Sequence, residues 1–180
     1  MKLSYFDVVD DTDTLTGSQA SYDQVHDQGL WHRGVHVLIY TPDRQIVMQK
    51  SSLSLKYHPN EVEVSVGGGV DAGERPDQAA AREMFEELGV SVNPDQLHFI
   101  GKTKFNHATK TQIYRTFIYS YSICLTADKL IFKLDPEETS TAFLLSEKKL
   151  RRALRRHRIR KVGKITSTYA YWRYLLDSIA

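Results

Sequence analysis

The chain has 180 residues, 41% of them hydrophobic, with 24 basic and 22 acidic side chains and a formal net charge of +2. This length suits one domain with a sizeable core, and the ordinary composition excludes a disordered or fibrous chain. One cysteine, Cys124, excludes an internal disulfide; it falls on an apparent strand, where a small buried hydrophobe is expected. The first residues turn acidic at Asp7 before an apolar region builds, so no signal peptide is expected. No apolar run reaches membrane-spanning length, and a cytoplasmic protein without membrane contact is the expectation.

In chain order, residues 3–9 read as a short strand, and Asp10-Asp11-Thr12-Asp13 opens a turn closed by Gly17. Ser21 to Gln28 fits a short helix. Val35–Tyr40 and Gln45–Gln49 flank Thr41-Pro42-Asp43-Arg44, a hairpin turn. Glu61 to Val66 alternates charge with valine, a half-buried strand leading into a glycine turn. A helix starts at Pro76, is propagated by Ala79, Ala80 and Ala81, and stops at Gly89. Phe99–Phe105 and Gln112–Leu125 pair across the polar loop 106–111. A short apolar strand near Ala142–Leu145 and helices at about 146–157 and 165–178 complete the chain, with no linker or repeat.

The helix from Pro76 carries Glu83, Glu86 and Glu87 at i, i+3 and i+4, so three carboxylates share one face. Like charges at that spacing repel by about 0.2–0.5 kcal/mol per pair. Acids in a last turn also oppose the helix dipole, by about 0.3–1 kcal/mol each. A solvated acidic face is the ordinary explanation of three such acids. Rule-breaking concentrated in one place also marks function, and a hard divalent cation would remove both penalties.

The whole stretch reads Gly68-x5-Glu74-x7-Arg82-Glu83-Met84-x-Glu86-Glu87-x-Gly89-Val90, which resembles the Nudix box at every specified position. The resemblance implies an α/β (α+β) fold, an α/β/α sandwich with a mixed sheet, over a single domain at 1–180 with the box at 68–90. It implies Mg²⁺, with Mn²⁺ as a substitute, held by Glu83, Glu86, Glu87 and a carbonyl of Gly67 or Gly68. Glu83 or a neighbour would act as base, Arg82 would orient the carboxylates, and Glu74 would tie the loop to the helix. The implied activity is hydrolysis of a diphosphate linkage in a nucleoside diphosphate derivative, a small-molecule substrate.

The segments Phe6–Asp10, Leu30–His36, Lys56–Pro59 and Val64–Gly68 resemble the Nudix subgroup related to isopentenyl-diphosphate isomerase, whose chemistry leaves the diphosphate intact. That enzyme carries a catalytic cysteine and a metal-binding histidine where this chain has Gly67 and Gly69, and glycine supplies neither. Hydrolysis is therefore expected over isomerisation, with a non-catalytic nucleotide-binding regulator as a third reading. His32 is expected to keep only a structural hydrogen bond. Lys50 and Lys56 are candidates to grip phosphate, and Lys104, His107 and Lys110 form a further polar loop. Among Tyr114, Tyr119 and Tyr121 packing is expected before base stacking. Residues 99–127 hold no acid, leaving Glu137 or Glu138 as a downstream metal ligand.

Charge divides sharply. Residues 1–147 carry 21 acidic and 13 basic side chains, a balance of −8, whereas 148–180 carry one acidic and 11 basic, a balance of +10. Ten of those cations lie between Lys148 and Lys164, interleaved with Leu150, Leu154, Ile159 and Val162. The expected role of the helical segment 146–180 is to pack its apolar stripe on the sheet and neutralise the acidic body. No RNA-binding motif or interleaved aromatic accompanies it, so nucleic acid is not an expected partner, while a homodimer contact stays open.

Overall fold

A computed structural model describes residues 4–54, 59–108, 112–160 and 162–179. Lys56 and Lys110 lie outside the described residues. Strands β1 (Tyr5–Val9) and β2 (Leu15–Ser21) form a separate antiparallel ribbon, followed by helix α1 (Tyr22–Asp27). The main sheet comprises β3 (His32–Tyr40), β4 (Gln45–Ser51), β5 (Val62–Glu63), β6 (Val66–Gly69), β7 (His98–Ala108), β8 (Ile113–Cys124) and β9 (Thr139–Ser146), with helix α2 (Pro76–Leu88) between β6 and β7. The chain ends in α3 (Glu147–Leu154), the short hairpin β10 (Arg158–Ile159) and β11 (Gly163–Lys164), and α4 (Tyr169–Asp177). No helix of the described residues is long and apolar enough to cross a membrane.

Both faces of the main sheet are covered, so the second half of β3, Val37-Leu38-Ile39-Tyr40, runs continuously apolar. Val35, Val37 and Ile39 join Ala79, Ala80, Met84 and Leu88 of α2 on one face. Leu38, Ile46 and Met48 pack on Leu150 and Leu154 of α3 and on Trp172, Leu175 and Leu176 of α4 on the other. The sheet is mixed: β3 and β8 run parallel over His32–Tyr40, and the other pairings are antiparallel.

The seam between β3 and β4 positions everything that follows. The expected hairpin forms, but its strands pair at Tyr40 and Ile46 and then splay. Into the gap goes the 61–66 segment, which is two strands rather than the expected one. β5 pairs with β4 at Gln49 and Lys50, and β6 pairs with β3 from Gly34 to Val37. Where the chain crosses between them, the buried Ser65 hydroxyl accepts from Ile39 N–H at 2.8 Å and donates to the Val47 carbonyl at 2.6 Å. Two backbone groups left unpaired by the splay are thereby satisfied.

Other expectations shift for similar local reasons. Gly67, Gly68 and Gly69 are strand residues, and the real turn lies at 71–74. Gly17 sits inside β2 with φ +81° and does not close the turn. The first C-terminal helix stops at Leu154, because His157 takes a left-handed φ of 49° and the chain doubles back as β10–β11. Cys124 is exposed: Ile123 and Leu125 take the buried side, so strand alternation turns it outward.

Candidate active site

Helix α2 is built to deliver its acids to the β3–β4 seam. Pro76 occupies its first turn, the Gln78 side chain accepts from the N–H of the N-cap residue Arg75 at 3.2 Å, and Gly89 closes it at φ 71°. Its buried stripe holds Ala79, Ala80, Met84, Leu88 and also Glu87, which is 6% exposed, so a carboxylate occupies a core position. Opposite it, Gly67, Gly68 and Gly69 of β6 present backbone without side chains. A Cβ on Gly68 would fall 2.2 Å from Glu83 Cδ, so only glycine lets Glu83 lie against that strand.

Arg82 organises the cluster. Its Nε and one terminal nitrogen donate to the two oxygens of Glu74 at 3.0 and 2.8 Å, a bidentate fork that ties the 71–74 turn to the helix. The same terminal nitrogen reaches the Gly69 carbonyl at 2.9 Å. The other donates to Glu83 at 2.7 Å and Glu86 at 3.0 Å. Glu74 also accepts from Asp71 N–H at 3.1 Å. Burial works against the Arg82 charge, but the Glu74 and Glu83 carboxylates more than offset it and raise its pKa.

Behind Glu83, a chain of buried polar contacts holds Glu87. Gln49 donates from Nε2 to Glu87 Oε2 at 2.9 Å, and Thr139 donates to Gln49 Oε1 at 2.8 Å. The Gly67 N–H makes a longer contact of 3.4 Å to the same Glu87 oxygen. All three side chains are buried.

Burial pushes the Glu83 pKa up to about 7, with Arg82 opposing and Glu86 and Glu138 adding repulsion. Burial, then the Glu83 charge, drives Glu87 well above the carboxylate range, against the Gln49 hydrogen bond. Glu138 is raised by burial, by Asp135 and by Glu86. Glu63, which pairs with Gln49 across β4–β5, is raised to about 7 by burial and by Glu61. Five carboxyls, Glu63, Glu83, Glu86, Glu87 and Glu138, thus gather at the seam with Arg82 among them. Glu87 is buried, Glu63 and Glu83 are half-buried, and Glu86 and Glu138 reach solvent. Carboxylates in excess of cations at such a site are held at a cost that a hard divalent ion removes, and the donors are all oxygen. As arranged, no three acidic, histidine or cysteine groups of the described residues converge into a finished metal cage, because Arg82 holds Glu83 and Glu86.

The sequence placed Glu83, Glu86 and Glu87 together, and the structure brings Glu138 to them. It does not bring Lys50. Alternation on β4 turns Gln49 toward α2 and Lys50 to the opposite face, where its Cε lies 3.7 Å from the position of a Cβ on Gly163. The acids also do not stand alone, since Glu63 and Glu138 join from β5 and from the residue before β9. Gln49 and Glu63 escaped the sequence reading, although Gln49 had a signal: a polar residue directly after the apolar run Ile46-Val47-Met48. His32 is buried, with contacts of 3.0 Å from Nδ1 to the Leu30 carbonyl and 3.3 Å from Nε2 to the Thr116 hydroxyl. Tyr119 donates to Asp13 and Tyr114 to Gln112, and Lys104 lies 4.5 Å from the Trp31 ring centroid, so none of these three is aimed at the acids.

A family model described as the NUDIX domain matches residues 30–164. An uncharacterized Nudix hydrolase of Yersinia pestis is 30% identical over 96 residues, 53% of this chain and 52% of that protein. One of Clostridium acetobutylicum is 31% identical over 127 residues, 68% of this chain and 61% of that protein. The chain thus spans roughly half to three-fifths of the length of these curated relatives. Among solved structures, one from Deinococcus radiodurans aligns with TM-score 0.68 and 24% identity over 89% of this chain and 92% of that one. The dihydroneopterin triphosphate pyrophosphohydrolase of E. coli aligns with TM-score 0.55 and 19% identity, over 81% and 91%. These likenesses show the fold.

Proposed function

This chain belongs to the NUDIX family, and we propose that it is a divalent-metal-dependent pyrophosphohydrolase acting on a nucleoside diphosphate derivative. The observation that carries this reading is the gathering of Glu63, Glu83, Glu86, Glu87 and Glu138 beside the Gly67–Gly69 backbone, with Arg82 bridging Glu83 and Glu86. Glu83, Glu86 and Glu87, with a carbonyl of Gly67 or Gly68, would hold Mg²⁺, and Mn²⁺ would substitute. The ion supplies charge neutralisation on the diphosphate and a more acidic water. Water oxygen adds to one phosphorus, the bridging P–O bond breaks, and each product leaves with one phosphate. Glu83 takes the proton of the attacking water. Arg82 fixes the direction of Glu83 and Glu86, and Gln49 fixes Glu87 from behind. Glu138 is the ligand candidate from beyond the box.

Gly67 and Gly69 offer no proton donor, which supports hydrolysis over prenyl isomerisation. The α3–α4 segment shares one core with Leu38 and Val62 of the sheet, which supports treating 1–180 as one unit. The test is incubation with Mg²⁺ and a panel of nucleoside diphosphate derivatives, and separately with isopentenyl diphosphate. Phosphate-bearing products that vanish in Glu83→Gln are expected. Double-bond migration with the diphosphate intact would overturn the proposal, and so would tight nucleotide binding without turnover.

A further inference from the structure

The basic segment does only half of what its sequence promised. Leu150 and Leu154 are buried in the core below α3, so the apolar stripe packs as expected. The charges, however, are little used to neutralise the body. Arg151 pairs with Glu147 and Asp177, and Lys164 with Glu61. Lys148, Lys149, Arg152, Arg155 and Arg160 are exposed, and no ion pair among the described residues engages them.

The hairpin then concentrates charge. Arg158 and Lys164 are direct cross-strand partners in β10–β11, a like-charge pairing that weakens a two-stranded ribbon. Arg156, His157, Arg158 and Lys164 line an open cleft of about 630 Å³ together with Asn60 and Glu61. The carboxylate in that wall is already engaged, by Lys164 Nζ at 2.8 Å. A local rule broken by cations converging on a concave surface is the electrostatic footprint of a polyanion.

We propose that the α3–β10–β11 face binds the phosphate backbone of a single-stranded nucleic acid, with the strand seated in the Arg156–Arg158–Lys164 cleft. Six of the ten cations between Lys148 and Lys164 are arginines, whose planar fork matches phosphate oxygens bidentately. Leu150 and Leu154 of α3 point into the core and Ile159 and Val162 pack partly against it, so the face has no exposed large apolar side chain to insert between lipids. A concave site of about 630 Å³ admits one strand in preference to the convex surface of a duplex. The −8 balance of residues 1–147 repels a polyanion elsewhere and orients it onto this face.

The test follows anisotropy of a fluorescein-labelled 12-nucleotide RNA, and of its DNA counterpart, against the full chain from 25 to 300 mM salt. Three to four phosphate contacts give a slope of log K against log salt of about −2 to −3. R156E/R158E should weaken binding at least tenfold and flatten the slope by about 1.4, two contacts' worth. Its hydrolysis of small diphosphates should stay at the wild-type value, because neither residue touches the carboxyl cluster. Its melting temperature should not fall, because Arg158→Glu replaces a like-charge pair with Lys164 by an opposite-charge one. RNA and DNA bound alike identifies the phosphate backbone as the ligand, and RNA bound alone adds the ribose hydroxyl. Equal affinity of the folded double variant would overturn the proposal, as would capture by phosphatidylserine vesicles with neither oligonucleotide bound.

Discussion

Gly68→Ala is the sharpest test of the site, because the structure says which atom it displaces. The new Cβ would lie 2.2 Å from Glu83 Cδ and 2.3 Å from its Oε1. Carbon atoms in contact sit about 3.5 Å apart, so the Glu83 carboxyl must retreat by roughly 1.3 Å. A misplacement of about 1 Å at a reacting group costs on the order of 100-fold in rate, equivalent to about 2.7 kcal/mol on the barrier. Stability should change far less. The obstructing atoms end a flexible side chain, Arg82 keeps its fork to Glu74, and Glu83 gains solvent as it leaves its contact with Arg82. A net loss of about 1 kcal/mol lowers the melting temperature by about 2–4 °C. Steady-state hydrolysis and thermal melts of the same preparation read both quantities. Gly17→Ala is the control: nothing lies within 4 Å of its Cβ, but φ is +81°, so it should cost about 1 kcal/mol of stability and no activity. A folded Gly68→Ala protein within threefold of wild-type turnover would refute the claim that Glu83 must lie against this strand.

Gln49→Leu removes the buried donor to Glu87, and the Mn²⁺ affinity read by water-proton relaxation should fall about 10–100-fold, as for other groups that orient metal ligands. A Thr139→Val variant should move it in the same direction by less. His36 is half-buried beside Tyr171, with Nδ1 2.6 Å from the phenol oxygen, and loss of solvent around the ring lowers its pKa to about 4. The unfolded chain therefore binds a proton near pH 6.5 that the native state refuses until about pH 4. Stability is full above pH 6.5 and falls across that window, by at most about 3 kcal/mol. Glu63 and Glu83, raised to about 7, pull the opposite way and lose stability as pH rises. The read-out is thus the difference in urea midpoint between wild type and His36→Gln, which should shrink from pH 7.5 to pH 4.5. Asp13→Ala strands the donors Arg33 at 2.7 Å, Lys102 at 2.6 Å and Tyr119. Removing that buried carboxylate should cost about 3 kcal/mol, or roughly 6–12 °C of melting temperature.

How much of this could be read beforehand depended on whether a residue's role was local. Helix α2 lies where Pro76 and Gly89 put it, because its boundaries are set by backbone conformations that those two residues favour by themselves. The capping of α1 by Ser21 and Gln24 was similarly within reach. The break at Val64–Ser65 was not, because nothing in Glu61–Val66 states that β3 and β4 splay; the alternation looks like one strand until both partners are known. The same non-local fact hid Glu63. An acid at an outward-facing strand position normally meets water, and here the outward direction opens onto the seam that α2 covers. Lys50 fails for the complementary reason. It was a candidate to grip phosphate as a point charge, but parity on β4 assigns it to the other face and gives the inner position to Gln49. The acidic cluster is therefore a property of the sheet as well as of the helix: three acids share the helix face by spacing, Glu63 arrives because a strand pair fails to close, and Glu138 comes from the residue before β9. It follows that disrupting the seam by Ser65→Ala, which leaves the Ile39 N–H and the Val47 carbonyl without their bridge, should weaken Mn²⁺ binding read by water-proton relaxation from a position that touches none of the five carboxyls.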